Sequence, residues 1–212
     1  MARAERKDLD ELKTRERILE AARELFAEQG YSAASISKIA KRANVLPGSL
    51  YWAFPSKERL FIEVLTTTAE DWKQRVAPAD PGDTLGVSNL RRQMSAIAAD
   101  FLDGPEFLRL LMIVATEHQA GSPEIREAAV GIRRYWRERV ERALADGLAG
   151  YEPEAARHLA LRIGRLMLQL LDGAFMSLQL ERDTSPEALF ADIGDVLARE
   201  LEHGLGGLKP RG

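Results

Sequence analysis

Ser35-Ile36-Ser37-Lys38-Ile39-Ala40-Lys41-Arg42-Ala43-Asn44-Val45-Leu46-Pro47-Gly48-Ser49-Leu50-Tyr51-Trp52-Ala53-Phe54 is the stretch that decides the fold. Ser35 can cap a short helix by accepting from the amides of its first turn. In that helix Ile36, Ile39, Ala40 and Ala43 share the inner face, while Lys38, Lys41 and Arg42 point away. Asn44 tolerates positive φ, which a sharp turn between helices needs. Pro47 suits the first turn of the next helix, expected over about 47–54. Leu50 and Phe54 face inward there, leaving Gly48, Ser49, Tyr51 and Trp52 on the outer side. Two short helices joined by a tight turn form a helix-turn-helix, whose second helix fits the major groove of duplex DNA. Tight turns between short helices also occur in plain bundles, so this geometry alone leaves DNA binding open.

The flanks extend the helical reading in both directions. A helix over about 14–29 carries Ile18, Ala22, Leu25 and Phe26 on one face, and Gly30 closes it in the left-handed position. Ser56 caps a linking helix over about 56–76 with Leu60, Phe61, Val64 and Leu65 inward. Ala77-Pro78-Ala79-Asp80-Pro81-Gly82 is the strongest break in the chain. Further helices are expected at about 84–102, 105–118, 123–148, 153–181 and 186–205. The pairs of glycine ending one segment and proline opening the next support these boundaries. Alanine and leucine outnumber the β-branched residues more than two to one, which favours helix over strand. The fold class is therefore all-α. Residues 1–13 read as a flexible arm, 14–60 as the helix-turn-helix domain, 83–205 as a second helical domain and 206–212 as a frayed tail.

Composition narrows the chemistry. The 212 residues carry a net charge of −3 and no cysteine, which excludes disulfides, thiolate metal sites and cysteine nucleophiles. Three histidines, His118, His158 and His203, make a histidine-rich metal centre improbable on numbers alone. A di-iron bundle needs two Glu-x-x-His units, and only Glu200-Leu201-Glu202-His203 occurs. There is no phosphate loop, nucleophile elbow or His-Glu-x-x-His, so we expect no enzyme activity, catalytic residue, metal or cofactor. No secretory signal or membrane span is expected, and the chain reads as cytoplasmic. Charge is uneven: residues 1–60 hold 12 Lys and Arg against 9 Asp and Glu, while the remainder is acidic. A small basic head on an acidic body fits nucleic-acid contact at one end.

Several spaced elements then agree with one family. Thr14-Arg15-Glu16-Arg17-Ile18-Leu19-Glu20-Ala21-Ala22, Leu25-Phe26-Ala27-Glu28-Gln29-Gly30-Tyr31, Ile36-Ser37-Lys38-Ile39-Ala40 and Leu50-Tyr51-Trp52-Ala53-Phe54-Pro55-Ser56-Lys57-Glu58-Arg59-Leu60 closely resemble the DNA-binding domain of the TetR family. The resemblance implies phosphate contacts from Thr14, Ser35, Ser37, Lys38 and Tyr51, and from Lys57 at the start of the linking helix. Such contacts fix register without reading sequence. Base readout would fall to the start of the recognition helix, at Leu46, Pro47, Gly48 and Ser49, with Trp52 where the family often has an aromatic residue or histidine. Here the chain departs from the pattern. The family usually has a small residue and often a lysine at Leu46 and Pro47, and glycine at Asn44. Leu46 and Pro47 could pack only on thymine methyl groups, whereas Ser49 could donate or accept.

The second domain reads as sensor and dimeriser. In 153–181 a wide stripe of Leu159, Ile163, Leu166, Met167, Leu170, Leu171, Ala174, Phe175 and Leu178 is extended by Leu161, Leu168, Met176 and Leu180. A helix apolar nearly all round must be covered on both sides. A second copy of this helix and of 186–205 would do so as an intersubunit four-helix bundle, and a buried core helix is the alternative. Expected lining for a small apolar or amphipathic effector includes Phe101, Met112, Trp136, Met167, Leu171 and Phe175, with Arg109 and His118 as polar contacts. Glu117-His118 stands out as a titratable pair in an otherwise apolar helix. The resemblance implies a homodimer on a palindromic or near-palindromic operator, released by its effector. The rival is an all-α ligand-binding or interaction protein without specific DNA binding.

Overall fold

The computed structural model describes residues 2–75, 84–102, 106–117, 122–181 and 183–211, with side chains given from residue 10 onward and not for residues 100–102. Among the described residues there are nine α-helices: α1 (Ala2–Ala33), α2 (Ile36–Arg42), α3 (Pro47–Ala53), α4 (Lys57–Arg75), α5 (Val87–Leu102), α6 (Glu106–Thr116), α7 (Pro123–Gly147), α8 (Pro153–Leu180) and α9 (Pro186–Leu205). The all-α expectation holds, and eight of these helices begin within about three residues of their sequence-based positions, a normal scatter for helix ends. The start of α1 is the exception. No glycine or proline interrupts residues 2–29, so the helix runs on from Ala2 where a flexible arm over 1–13 was expected. The break at 77–82 lies outside the described residues.

The chain forms two compact units: Met1–Trp72 with Glu106–Ile132, and Lys73–Pro105 with Arg133–Gly212. This differs from a division at the Ala77–Gly82 break, because α6 packs on α1 and, with the first part of α7, falls in the same unit as the helix-turn-helix. In the first unit Phe26, Tyr31 and Phe61 form a ring cluster. Phe26 meets Phe61 edge-on with centroids 4.9 Å apart, and Tyr31 meets Phe61 at 5.1 Å. Trp72 of α4 stacks on Phe107 of α6 at 5.2 Å. Arg15 of α1 lies 4.3 Å from the centroid of the Phe54 ring and reaches Glu63 of α4 at 2.5 Å. One guanidinium thus ties α1 and α4 to the end of α3. Arg23 of α1 pairs with Glu106 of α6 at 3.4 Å.

In the second unit α5 lies along α9. Gly194 permits this approach, since a Cβ there would meet the Arg91 Cα at 3.2 Å and Met94 at 3.4 Å. Beside it Arg91 pairs with Asp195. Arg133 of α7 makes a two-pronged contact with Asp172 of α8, at 2.9 and 2.7 Å. Farther along the same two helices, Gly164 lies against Val140 and Glu141. The tail expected to fray does not: the Glu152 amide donates to Lys209 O, the Arg211 amide donates to Gly150 O, and Tyr151 bridges Pro210. Gly206 and Gly207 follow α9 in a turn that sends the chain back to this extended partner. Backbone donors that a free tail would leave to water are satisfied here.

Phe61→Ala removes the ring that joins α1 to α4. It should destabilise the first unit by about 3–5 kcal/mol, read as a lowered urea midpoint.

Candidate nucleic-acid interface

The short helices α2 and α3 form as their residues dictate. Ser35 Oγ accepts from the Lys38 amide at 3.2 Å and so caps α2. Ile39, Ala40 and Ala43 are buried, and Lys38, Lys41 and Arg42 are exposed. Asn44 adopts φ 53 at the turn, the left-handed conformation its short polar side chain tolerates. Pro47 occupies the first turn of α3, where its missing N–H costs nothing. Leu50 and Phe54 are buried at 0% and 1% exposure, anchoring α3 from beneath.

The outer face of α3 is open and largely apolar. Leu46 is 76% exposed, Trp52 72% and Tyr51 55%, with Pro47 and Gly48 exposed beside them and Ser49 half-buried. From Val45 to Pro55 the sequence has no charged or amide side chain. Large exposed apolar groups on a soluble surface point to a binding site. This one rides on a helix of the right thickness for a major groove.

The polar residues expected to touch phosphate are found in different states. Ser37 is exposed, and Ser35 is exposed while serving as the α2 cap. Lys38 is exposed, but its ammonium donates to Gln29 Oε1 at 2.9 Å and to Ala33 O at 3.0 Å. Thr14 lies inside α1 with its hydroxyl donating to Asp10 O at 2.8 Å. Arg42, read from sequence as exposed, is paired with both Glu24 and Glu28 at 3.2 and 3.0 Å. Lys57 is half-buried. Its Nζ stands 4.3 Å from the Tyr31 ring centroid and donates to Ser32 O at 3.4 Å. Burial pushes the Lys57 ammonium down from its ordinary pKa, against the opposing pull of Glu117 and Glu58. Burial, with the charge of Glu58, pushes the Tyr31 phenol up to about 12.

Sequence reasoning missed one member of this region. Glu117, singled out beside His118 as a polar group in an apolar helix, accepts from the Tyr31 amide at 3.1 Å, the Ser32 amide at 2.9 Å and the Ser32 hydroxyl at 2.8 Å. Gly30 makes this possible, with φ 80 and ψ 173. Its φ is positive as expected, but its ψ is extended, a region essentially reserved for glycine. A Cβ at Gly30 would run into the Glu117 carboxylate.

The expected effector lining is only partly described. His118 lies outside the described residues, as does the Phe101 side chain. Trp136, Met167, Leu171 and Phe175 are buried in the second unit. Trp136 lies on α7 between Arg133 and Val140, which face Asp172 and Gly164 of α8. On α6, in the first unit, Met112 is half-buried and Arg109 is exposed. Among the described residues no helix is long and apolar enough to cross a membrane, and no metal-binding cluster of His, Asp and Glu occurs.

Known proteins resemble the chain in this same region and beyond it. The family described as bacterial regulatory proteins, tetR family, matches residues 18–64. An uncharacterised helix-turn-helix transcriptional regulator of Bacillus subtilis, YxaF, is 28% identical over 88% of this chain and 96% of its own length. The B. subtilis regulator LmrA is 26% identical over 88% of this chain and 97% of its own. The crystal structure of NalD from Pseudomonas aeruginosa, the secondary repressor of the MexAB-OprM multidrug efflux pump, superposes with a TM-score of 0.64 at 26% identity. That match covers 91% of this chain and 97% of NalD.

Of the three tryptophans, Trp72 and Trp136 are each 8% exposed and Trp52 stands out in solvent. Acrylamide should therefore quench one accessible class of indole emission, and Trp52→Phe should abolish that class while leaving the buried emission unchanged.

Proposed function

We propose that this chain, which matches the tetR family of bacterial regulatory proteins over residues 18–64, is a dimeric, ligand-responsive repressor. It places α3 in the major groove of a palindromic or near-palindromic operator and leaves the operator when a small apolar or amphipathic effector binds its helical body. The observation that carries this reading is the open face of α3, with Leu46, Tyr51 and Trp52 presented on a buried Leu50–Phe54 anchor. The repressor role is supported by the likeness to NalD, itself a secondary repressor.

On this reading contacts divide by chemistry. Tyr51, Lys57, Lys38, Ser35, Ser37 and Thr14 would hold phosphates, with Lys38 and Thr14 exchanging their internal hydrogen bonds for them. Bidentate recognition of guanine or adenine needs Arg, Lys, Asn or Gln on the helix, and α3 offers none. Readout by Leu46 and Pro47 would therefore select thymine through its 5-methyl group, with Ser49 and the Trp52 indole N–H as the polar complements. The effector would contact Trp136, Met167, Leu171 and Phe175 of the second unit. It acts through its differential affinity for DNA-bound and free arrangements.

A duplex selected by the chain from a random pool tests this directly. Its affinity should fall steeply with added salt as phosphates release counterions, and Lys57→Ala should lower that slope by about one. Replacing a contacted thymine by deoxyuridine removes one methyl and should weaken binding about fourfold. A chain that holds no duplex even at low salt is instead an all-α ligand-binding or interaction protein.

Dimerisation would use α8 and α9. Leu180 is 74% exposed, and Met176 and Val196 also stand out from these helices, as apolar side chains at a subunit seam would in an isolated copy. Sedimentation velocity should show a dimer for the native chain. Met176→Glu with Leu180→Glu should give a monomer of unchanged helicity, because burying two carboxylates at the seam is far costlier than leaving them in water.

A further inference from the structure

Glu117 follows the last residue of α6, and its own amide donates to Ile113 O at 2.9 Å. Its carboxylate receives the two backbone donors and the hydroxyl that Tyr31 and Ser32 present. Those amides point outward because Gly30 has left helical geometry. The other side of the same dipeptide is held by Lys57, whose ammonium lies over the Tyr31 ring and donates to Ser32 O. Tyr31 and Ser32 are therefore gripped from one side by a carboxylate on α6 and from the other by an ammonium on α4. Glu106 pairs with Arg23 at the opposite end of α6, so α6 is fastened to α1 at both ends.

We propose that Glu117 is a positioning residue for DNA binding, holding Tyr31–Ser32 so that Lys57 and the α1–α2 joint meet the phosphates in register. It does not contact DNA itself, since a carboxylate beside a phosphate would repel it. It acts through the charge-assisted bonds to the joint, which are short and directional. The consequence is that α6 and the recognition head share one fixed point, and a displacement at the end of α6 is felt at Lys57. The proposal rests on the DNA-binding reading above.

The experiment uses the full chain, the duplex it selects, and the variants Glu117→Ala, Glu117→Gln, Lys57→Ala and the Glu117→Ala/Lys57→Ala double. Dissociation constants are measured across a salt series, with thermal melting followed alongside. Glu117→Ala should weaken binding roughly tenfold, within the coupling expected of groups in one network. It should also lower the salt slope by about one, as Lys57→Ala does, and the double variant should bind no more weakly than Lys57→Ala alone. Glu117→Gln, which keeps one accepting oxygen, should fall between. A carboxylate that only stabilises the fold would lower the melting temperature without moving the salt slope, and its loss would multiply with that of Lys57. That result, or wild-type affinity in Glu117→Ala, overturns the proposal. If Glu117→Ala does not fold, the slope of Glu117→Gln decides by the same criterion. Failure of the native chain to bind any duplex would instead remove the DNA-binding reading, and this proposal with it.

Discussion

The recognition head depends on the contact of three rings, Phe26, Tyr31 and Phe61. Helices α2 and α3 have seven residues each, too short to persist in water on their own propensity. They stand because they pack on α1 and on each other, with Ile39, Leu50 and Phe54 buried. The rings hold α1 to α4, and Arg15 joins the same two helices to the end of α3 through Glu63 and the Phe54 ring. Tyr31 has two duties there. Its ring belongs to the core, and its amide belongs to the joint that Glu117 grips.

What projects from this head is unusual in composition. The outer face of α3 offers leucine, proline, tyrosine and tryptophan, where a hydrogen-bonding reader would offer arginine or asparagine. Solvated alone, such a face gives up apolar burial that the chain has the residues to achieve elsewhere. That surface regains its favourable free energy only when covered. The cations of this head are held by neighbours: Lys38 by Gln29 and Ala33, Arg42 by Glu24 and Glu28, Lys57 by Ser32. On the proposed reading, attraction and discrimination would fall to different side chains, the polar groups setting register and the apolar face setting preference.

The order of helices, their caps and most of their inward faces were legible because each rests on neighbours within a few residues. Ser35 and Ser185 cap helices, Pro47, Pro153 and Pro186 open them, and Asn44 turns left-handed. The misreadings share a different cause. Residues 1–13 read as an arm because they carry no apolar face, yet nothing in them stops a helix and α1 runs on from Ala2. The tail was called frayed because its sequence lacks any strand pattern. Its partner, Gly150–Glu152, is supplied by the far end of the same unit. Glu117 stands out in sequence only as a polar group among apolar neighbours, and its partners are 86 and 85 residues away.

The sequence by itself determined that this protein is all-α, that residues 35–54 form two crossed helices, and that the outer side of the second is apolar. Periodicity, capping chemistry and the φ preferences of asparagine and proline act over one or two turns, so they can be read in order along the chain. Tertiary structure alone decided that α6 belongs with the recognition head, that Glu117 fastens its joint, and that Lys57 is restrained there. Those outcomes depend on which long-range groups meet, and a carboxylate carries no local mark of the amides it will find.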